Sequence, residues 1–121
     1  MHRQAMYGRR MQEPTYFVLA ALLDGPLHGY AIAQRAQGLS GGHVKLSAGT
    51  LYGALDRLAA QGLVEVDGEE VVAGRRRRYH RISGAGRAAV AEEALRLRAA
   101  ATVVERRMAS RARGAVAEAR S

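Results

Sequence analysis

The run GRRRRYH, Gly74 to His80, sets four arginines in succession, Arg75, Arg76, Arg77 and Arg78, and follows them with Tyr79. A guanidinium presents a planar fork of N–H donors that grips phosphate oxygens in pairs, which an ammonium cannot do. Four such groups at one point repel each other. A folded chain keeps them where water and salt screen the repulsion, or where an anion is brought to them. The formal charge of the whole chain is +8, and Lys45 is the only lysine among 19 cationic residues. A codon bias toward arginine would explain that ratio but not the clustering. The partner indicated is polyanionic, nucleic acid before an anionic membrane surface.

A second group of candidate residues lies in LSAGTLYGALDRLAAQG, Leu46 to Gly62. Ser47 is a good N-cap, and Leu51, Leu55 and Leu58 at i, i+4 and i+7 make the core stripe of a helix. The opposite face carries Gly49, Thr50, Gly53, Asp56, Arg57 and Ala60. The free N–H groups at the start of such a helix suit phosphate. Gly49 and Gly53 remove bulk, so the backbone can approach a ligand closely. Thr50 and Tyr52 can reach bases or phosphates, and Arg57 can pin a flanking strand. Each has a plainer alternative: Tyr52 as a core aromatic, Gly53 as a packing glycine, Arg57 as a solvated cation.

These residues need positioning by a small fold. The chain has 121 residues, room for one small domain, and is 48% hydrophobic with only five Tyr, one Phe and no Trp. Small side chains must therefore build much of the core, and thin stability favours association with a second copy. Residues 1–12 are basic and aperiodic, a candidate arm. Pro14 opens a first helix through PTYFVLAALL, apolar nearly all round, which Asp24-Gly25-Pro26 stops. A second helix runs from about His28 to Gln37, with Ile32, Ala36 and Leu39 on one face. HVKL, His43 to Leu46, is a candidate short strand before the helix that Ser47 caps and Gly62 closes.

From Leu63 the period changes to that of strands. An Asp67-Gly68 turn is a strong hairpin signal but would leave the arginine run without a partner. A three-residue loop, Val72-Ala73-Gly74, pairs Val64 with Ile82, Glu65 with Arg81 and Glu70 with Arg76, setting opposite charges across from each other. That register is favoured, and it puts the arginines at the tip of a long hairpin. After a bend at Ser83 to Gly86, an alanine-rich helix runs from residue 84 to about Arg113. Along it Val90, Ala94, Leu97, Ala101, Val104 and Met108 follow a 4-3-4-3-4 spacing, a heptad seam, with Glu92 and Arg96 as an i,i+4 pair. The partner expected for that seam is the same helix, or another part, of a second copy, which would make the chain a homodimer; the alternative is that the seam lies back on the chain's own first helix. Residues 114–121 read as a frayed tail.

The order is helix, helix, short strand, helix, hairpin. It is that of a mainly α winged helix-turn-helix over residues 13–83, followed by a dimerisation helix over 84–113. In such a fold the third helix enters the major groove of double-stranded DNA, and the hairpin lies along the backbone. The successive runs LDGPLHGYAI, LSAGTLYGALDRLAAQGLVE, GRRRRYHRIS and GAG resemble the PadR family of bacterial regulators over about residues 13–88. The resemblance implies a homodimeric repressor that binds a palindromic operator and releases it on meeting a small-molecule effector. By the same resemblance Ser47, Gly49, Thr50, Tyr52 and Arg57 fall in the recognition-helix region, Arg75 to Tyr79 in the wing, and Tyr30 of HGY in a structural role. The sequence departs from many relatives at Gly53 and Asp56, and in lacking a tryptophan at the dimer centre.

Other chemistry finds little support. The absence of cysteine excludes disulfides and thiolate sites. GLSGG, Gly38 to Gly42, matches the G-x-S-x-G nucleophile elbow in letters, but a helix precedes it and the chain is too short for the parallel sheet that motif needs. His2, His28, His43 and His80 lack metal-ligand spacing, and no phosphate-binding loop occurs. The expectation is a cytoplasmic regulator without enzymatic activity, cofactor or metal. A winged-helix module that binds RNA or a protein partner is the alternative.

Overall fold

The structure, a computed structural model, describes residues 11–120. The chain forms two compact units, one reaching to Val90 and one beginning at Ala91. In the first, α1 (Glu13–Ala21) is followed by the two-residue strand β1 (Leu27–His28), α2 (Gly29–Leu39), α3 (Ala48–Ala60), β2 (Val64–Val72) and β3 (Arg75–Ile82). The long α4 (Gly84–Arg120) begins there and makes up the whole described part of the second. The basic arm expected over residues 1–12 lies outside the described residues except at its end, where Met11 packs against the core.

The core is where the apolar spacing puts it. Val18, Leu19, Ala21 and Leu22 meet Ile32 from α2 and Leu51, Leu55 and Leu58 from α3, with Val64, Ile82 and Val90 closing the base. Leu39, expected on the buried face of α2, is exposed instead. The helix ends there: Ser40 accepts from the Val44 N–H at 2.9 Å and donates to the Gln37 carbonyl at 3.0 Å. The serine of GLSGG is thus a helix-closing residue.

The short strand is not HVKL. Residues 43–47 form no strand, and β1 is supplied by Leu27 and His28 at the entry to α2. The sheet order is β1-β3-β2, with Leu27 opposite His80 and His28 opposite Tyr79. Pro26 immediately precedes that edge strand, and a strand can begin after a proline. At its end, α3 closes in a Schellman arrangement: the Gly62 N–H bonds to the Ala59 carbonyl at 3.0 Å and the Leu63 N–H to that of Leu58 at 2.9 Å. Ser83 joins this end to α4. Its hydroxyl donates to the Gly62 carbonyl at 2.6 Å and accepts from the Gly86 N–H at 3.0 Å.

The hairpin follows the expected register at its base, Val64 with Ile82 and Glu65 with Arg81, and then departs from it. A bulge between Val66 and Gly68 inserts Asp67, so Glu70 faces Arg77 rather than Arg76. Because the bulge takes up one residue, the turn contains two residues instead of three. Ala73 (φ 53°) and Gly74 (φ 79°) are both left-handed, the geometry of a type I′ turn that matches strand twist. In the second unit, α4 continues to Arg120 through the residues expected as a frayed tail. Arg96 bonds to Glu93, its Nε at 3.1 Å, and not to Glu92.

Candidate nucleic-acid interface

The start of α3 is built by one side chain. Ser47 Oγ accepts the Thr50 N–H at 3.2 Å and donates to Thr50 Oγ1 at 3.0 Å, so the two hydroxyls are locked together at the helix entrance. Ser47, Gly49 and Thr50 are exposed. A Cβ added at Gly49 would meet nothing within 4 Å, so no packing within the fold requires a glycine there. One turn on, a Cβ at Gly53 would meet only the Arg57 guanidinium, at 3.5 Å. Gly49 and Gly53 therefore form a strip of helix surface without side chains, and Arg57 lies along its end.

Tyr52 is 48% exposed. Its phenol lies over Gly29 at the start of α2, where there is no space for a methyl group. The ring is thus neither a core aromatic nor a free surface residue: one edge is seated on the preceding helix and the rest faces solvent. Tyr30, expected to be structural, is 68% exposed, and its hydroxyl accepts from Gln34 Nε2 at 3.0 Å. In the HGY run it is the glycine that packs, together with the histidine, whose ring meets Tyr79 edge-on at 5.6 Å.

The hairpin separates its cations by face, because successive side chains of a strand point to opposite sides. Arg76 and Arg78 share a face with Glu69, at 3.7 and 3.1 Å. Arg81 lies at the base of the other face, between Glu65 at 3.0 Å and Asp67 at 2.6 Å. The Asp67 and Glu65 carboxylates raise its pKa further above the ordinary arginine value. The Tyr79 hydroxyl donates to Glu70 at 2.6 Å, and that bond raises the phenol's pKa. Among the described residues Arg75 and Arg77 make no ion pair. Burial lowers the pKa of His80, with Arg78 adding to the effect and Asp56 opposing it.

Sequence reasoning missed Gly29, Asp67 and Glu69. A bulge leaves only a weak trace in sequence, here an Asp-Gly pair that reads equally well as a turn. The seam residues of α4 divide between the two units. Val90 belongs to the core, only 6% exposed, and is not available to a second copy. Ala94 is half-buried, while Leu97, Ala101, Val104 and Met108 are exposed.

The family of transcriptional regulators described as PadR-like matches residues 18–92 of this sequence. The chain belongs to that family. PadR-like proteins are regulators and not enzymes. A transcriptional regulator of Mycobacterium tuberculosis is 42% identical over 76 residues, which cover 63% of this chain and 67% of that protein. An uncharacterised 37.1 kDa protein in a transposon of Streptomyces fradiae is 53% identical over 55 residues, 46% of this chain but only 15% of that protein's length. Among solved structures, a PadR family regulator from Clostridium difficile superposes with a TM-score of 0.66 at 22% identity, covering 78% of this chain and 97% of that one. Bacillus subtilis PadR, solved in complex with operator DNA, superposes with a TM-score of 0.59 at 17% identity, covering 67% of this chain and 46% of that one. At these identities the structures establish a shared PadR-like winged-helix fold.

Proposed function

We propose that this PadR-like regulator acts in the cytoplasm as a homodimeric repressor, binding a palindromic operator in double-stranded DNA. The observation that carries the reading is the exposed start of α3. Ser47, Gly49 and Thr50 stand uncovered there, with the half-exposed Tyr52, beside a glycine strip that no packing within the fold requires. In this reading Thr50 and Tyr52 read base edges, Arg57 and the wing arginines bind phosphate, and Tyr79 orients the wing. Leu97, Ala101, Val104 and Met108 meet their counterparts in a second copy, with Ala94 at the edge of the seam. Release by a small-molecule effector belongs to the same reading.

The test is a titration of the purified protein against the DNA upstream of its own coding sequence and against a scrambled fragment, at several salt concentrations. The expected result is a strong preference for the native fragment with one dimer per palindrome, and affinity that falls steeply with salt. Equal binding to both fragments would replace the operator reading with that of a general nucleic-acid binder. No binding at moderate salt would favour a protein partner.

A further inference from the structure

The four wing arginines differ in what they hold before any partner arrives. Arg76 and Arg78 flank one carboxylate, Glu69, on a shared face. Arg77 stands directly across the strands from Glu70, the position at which an opposite charge would pair with it. Glu70 instead accepts the Tyr79 hydroxyl at 2.6 Å, and Arg77 turns to that same hydroxyl, where its charge lowers the phenol's pKa against the larger rise caused by Glu70. Tyr79 is itself fixed edge-on against the His28 ring, 5.6 Å away. Arg75, next to the turn, makes no ion pair among the described residues.

We infer that Glu69 divides the wing: Arg75 and Arg77, which hold no carboxylate, are its primary phosphate anchors, while Glu69 competes with phosphate for Arg76 and Arg78. Glu69 is thus a positioning residue that moderates the wing's grip. The inference rests on the DNA-binding reading and adds an order of importance among residues that sequence alone leaves equivalent. A guanidinium without a carboxylate partner that meets a phosphate releases a condensed counterion without breaking an ion pair. Arg76 or Arg78 must first give up a carboxylate, which then needs a cation of its own. Exposed pairs of this kind are individually weak, so Glu69 tempers binding and does not block it.

The experiment measures the salt dependence of DNA affinity for the full chain and its variants, each first checked for parental thermal unfolding. Replacing Arg75 and Arg77 together by glutamine should flatten the log–log salt slope by about 1.8, two phosphate contacts at about 0.9 each. The same change at Arg76 and Arg78 should flatten it by about half as much or less. Glu69→Gln should tighten binding roughly two- to fivefold, and Glu69→Asp should behave as the parent. Glu70→Gln makes the same charge change but frees no paired arginine, so its gain should be smaller. Equal effects of the two arginine pairs, or equal gains from the two glutamate variants, would overturn the division while leaving DNA binding intact. A parent without salt-sensitive DNA binding would overturn both readings together.

Discussion

Gly29 lies beneath the Tyr52 phenol, and a methyl group placed there would overlap the hydroxyl and the ring. The start of α2 therefore sets where an aromatic side chain of α3 can rest. Because Tyr52 is half-exposed, its ring can swing outward when crowded. Gly29→Ala should thus cost little stability, about 1 kcal/mol or less, while altering which DNA sequences are preferred, as Tyr52→Ala should. Thermal unfolding run beside binding to a panel of operators separates the two effects. A large stability loss with unchanged preference would show that the glycine serves packing alone.

Gly86 presents the opposite case. A Cβ there would overlap the Leu63 carbonyl oxygen and the Ile82 side chain. That carbonyl accepts the Ser83 N–H at 3.0 Å and belongs to backbone that cannot swing aside. Gly86→Ala should destabilise the fold by about 2–3 kcal/mol, as overpacking of a fixed contact does. Gly84→Ala, two residues earlier, meets open space and should stay within about 0.5 kcal/mol of the parent. Urea midpoints of the two variants decide the matter, and similar midpoints would refute the contact.

The contrast between these glycines explains what the sequence made legible. Helix periodicity exposed the core stripe Leu51, Leu55 and Leu58, and the Ser47 cap, because those contacts lie within one helix. Charge complementarity gave the base of the hairpin for the same local reason. Gly29 and Gly86 depend on contacts between elements distant in sequence, and neither leaves a periodic trace. The Asp67 bulge shifted the tip register by one residue, which moved Glu70 from Arg76 to Arg77 and decided which arginines are paired. The candidate site was therefore readable as a set of residues, but the pairing within it was not.

His80 adds a pH dependence. It is 6% exposed on β3, between Leu27 and Val66 in the sheet, and its Nδ1 has no hydrogen-bond partner among the described residues. Burial, and then Arg78, disfavour its charged form and lower its pKa below 6.5. As pH falls, the unfolded chain takes up the proton first. Stability is therefore full above about pH 6.5 and declines as pH falls through the folded-state value. Urea midpoints between pH 8 and pH 5 should fall for the parent and remain nearly level for His80→Leu across the same window. A parent with level midpoints would overturn the assignment.

The proposed homodimer would rest on the outer stretch of α4, and its seam can be tested against a rival on the same helix. Leu97, Val104 and Met108 are 43%, 57% and 69% exposed, and their spacing of seven and four keeps them on one side. Leu95, Ala99, Thr102, Val103 and Arg106 line a shallow groove on the roughly opposite side, since each residue advances the helix by about 100°. Only the first side has an unbroken apolar run, because Arg98 and Arg106 interrupt the second. Placing glutamate at both Leu97 and Val104 would bring like charges together across a two-fold axis and leave them desolvated, a cost no exposed pair could offset. Light scattering should then report a monomer, with operator affinity lost because two half-sites are no longer linked. Glutamate at Leu95 and Val103 should leave the dimer and its affinity intact. If those substitutions also yield a monomer, or the Leu97 and Val104 variant remains dimeric, the copies associate through a different surface.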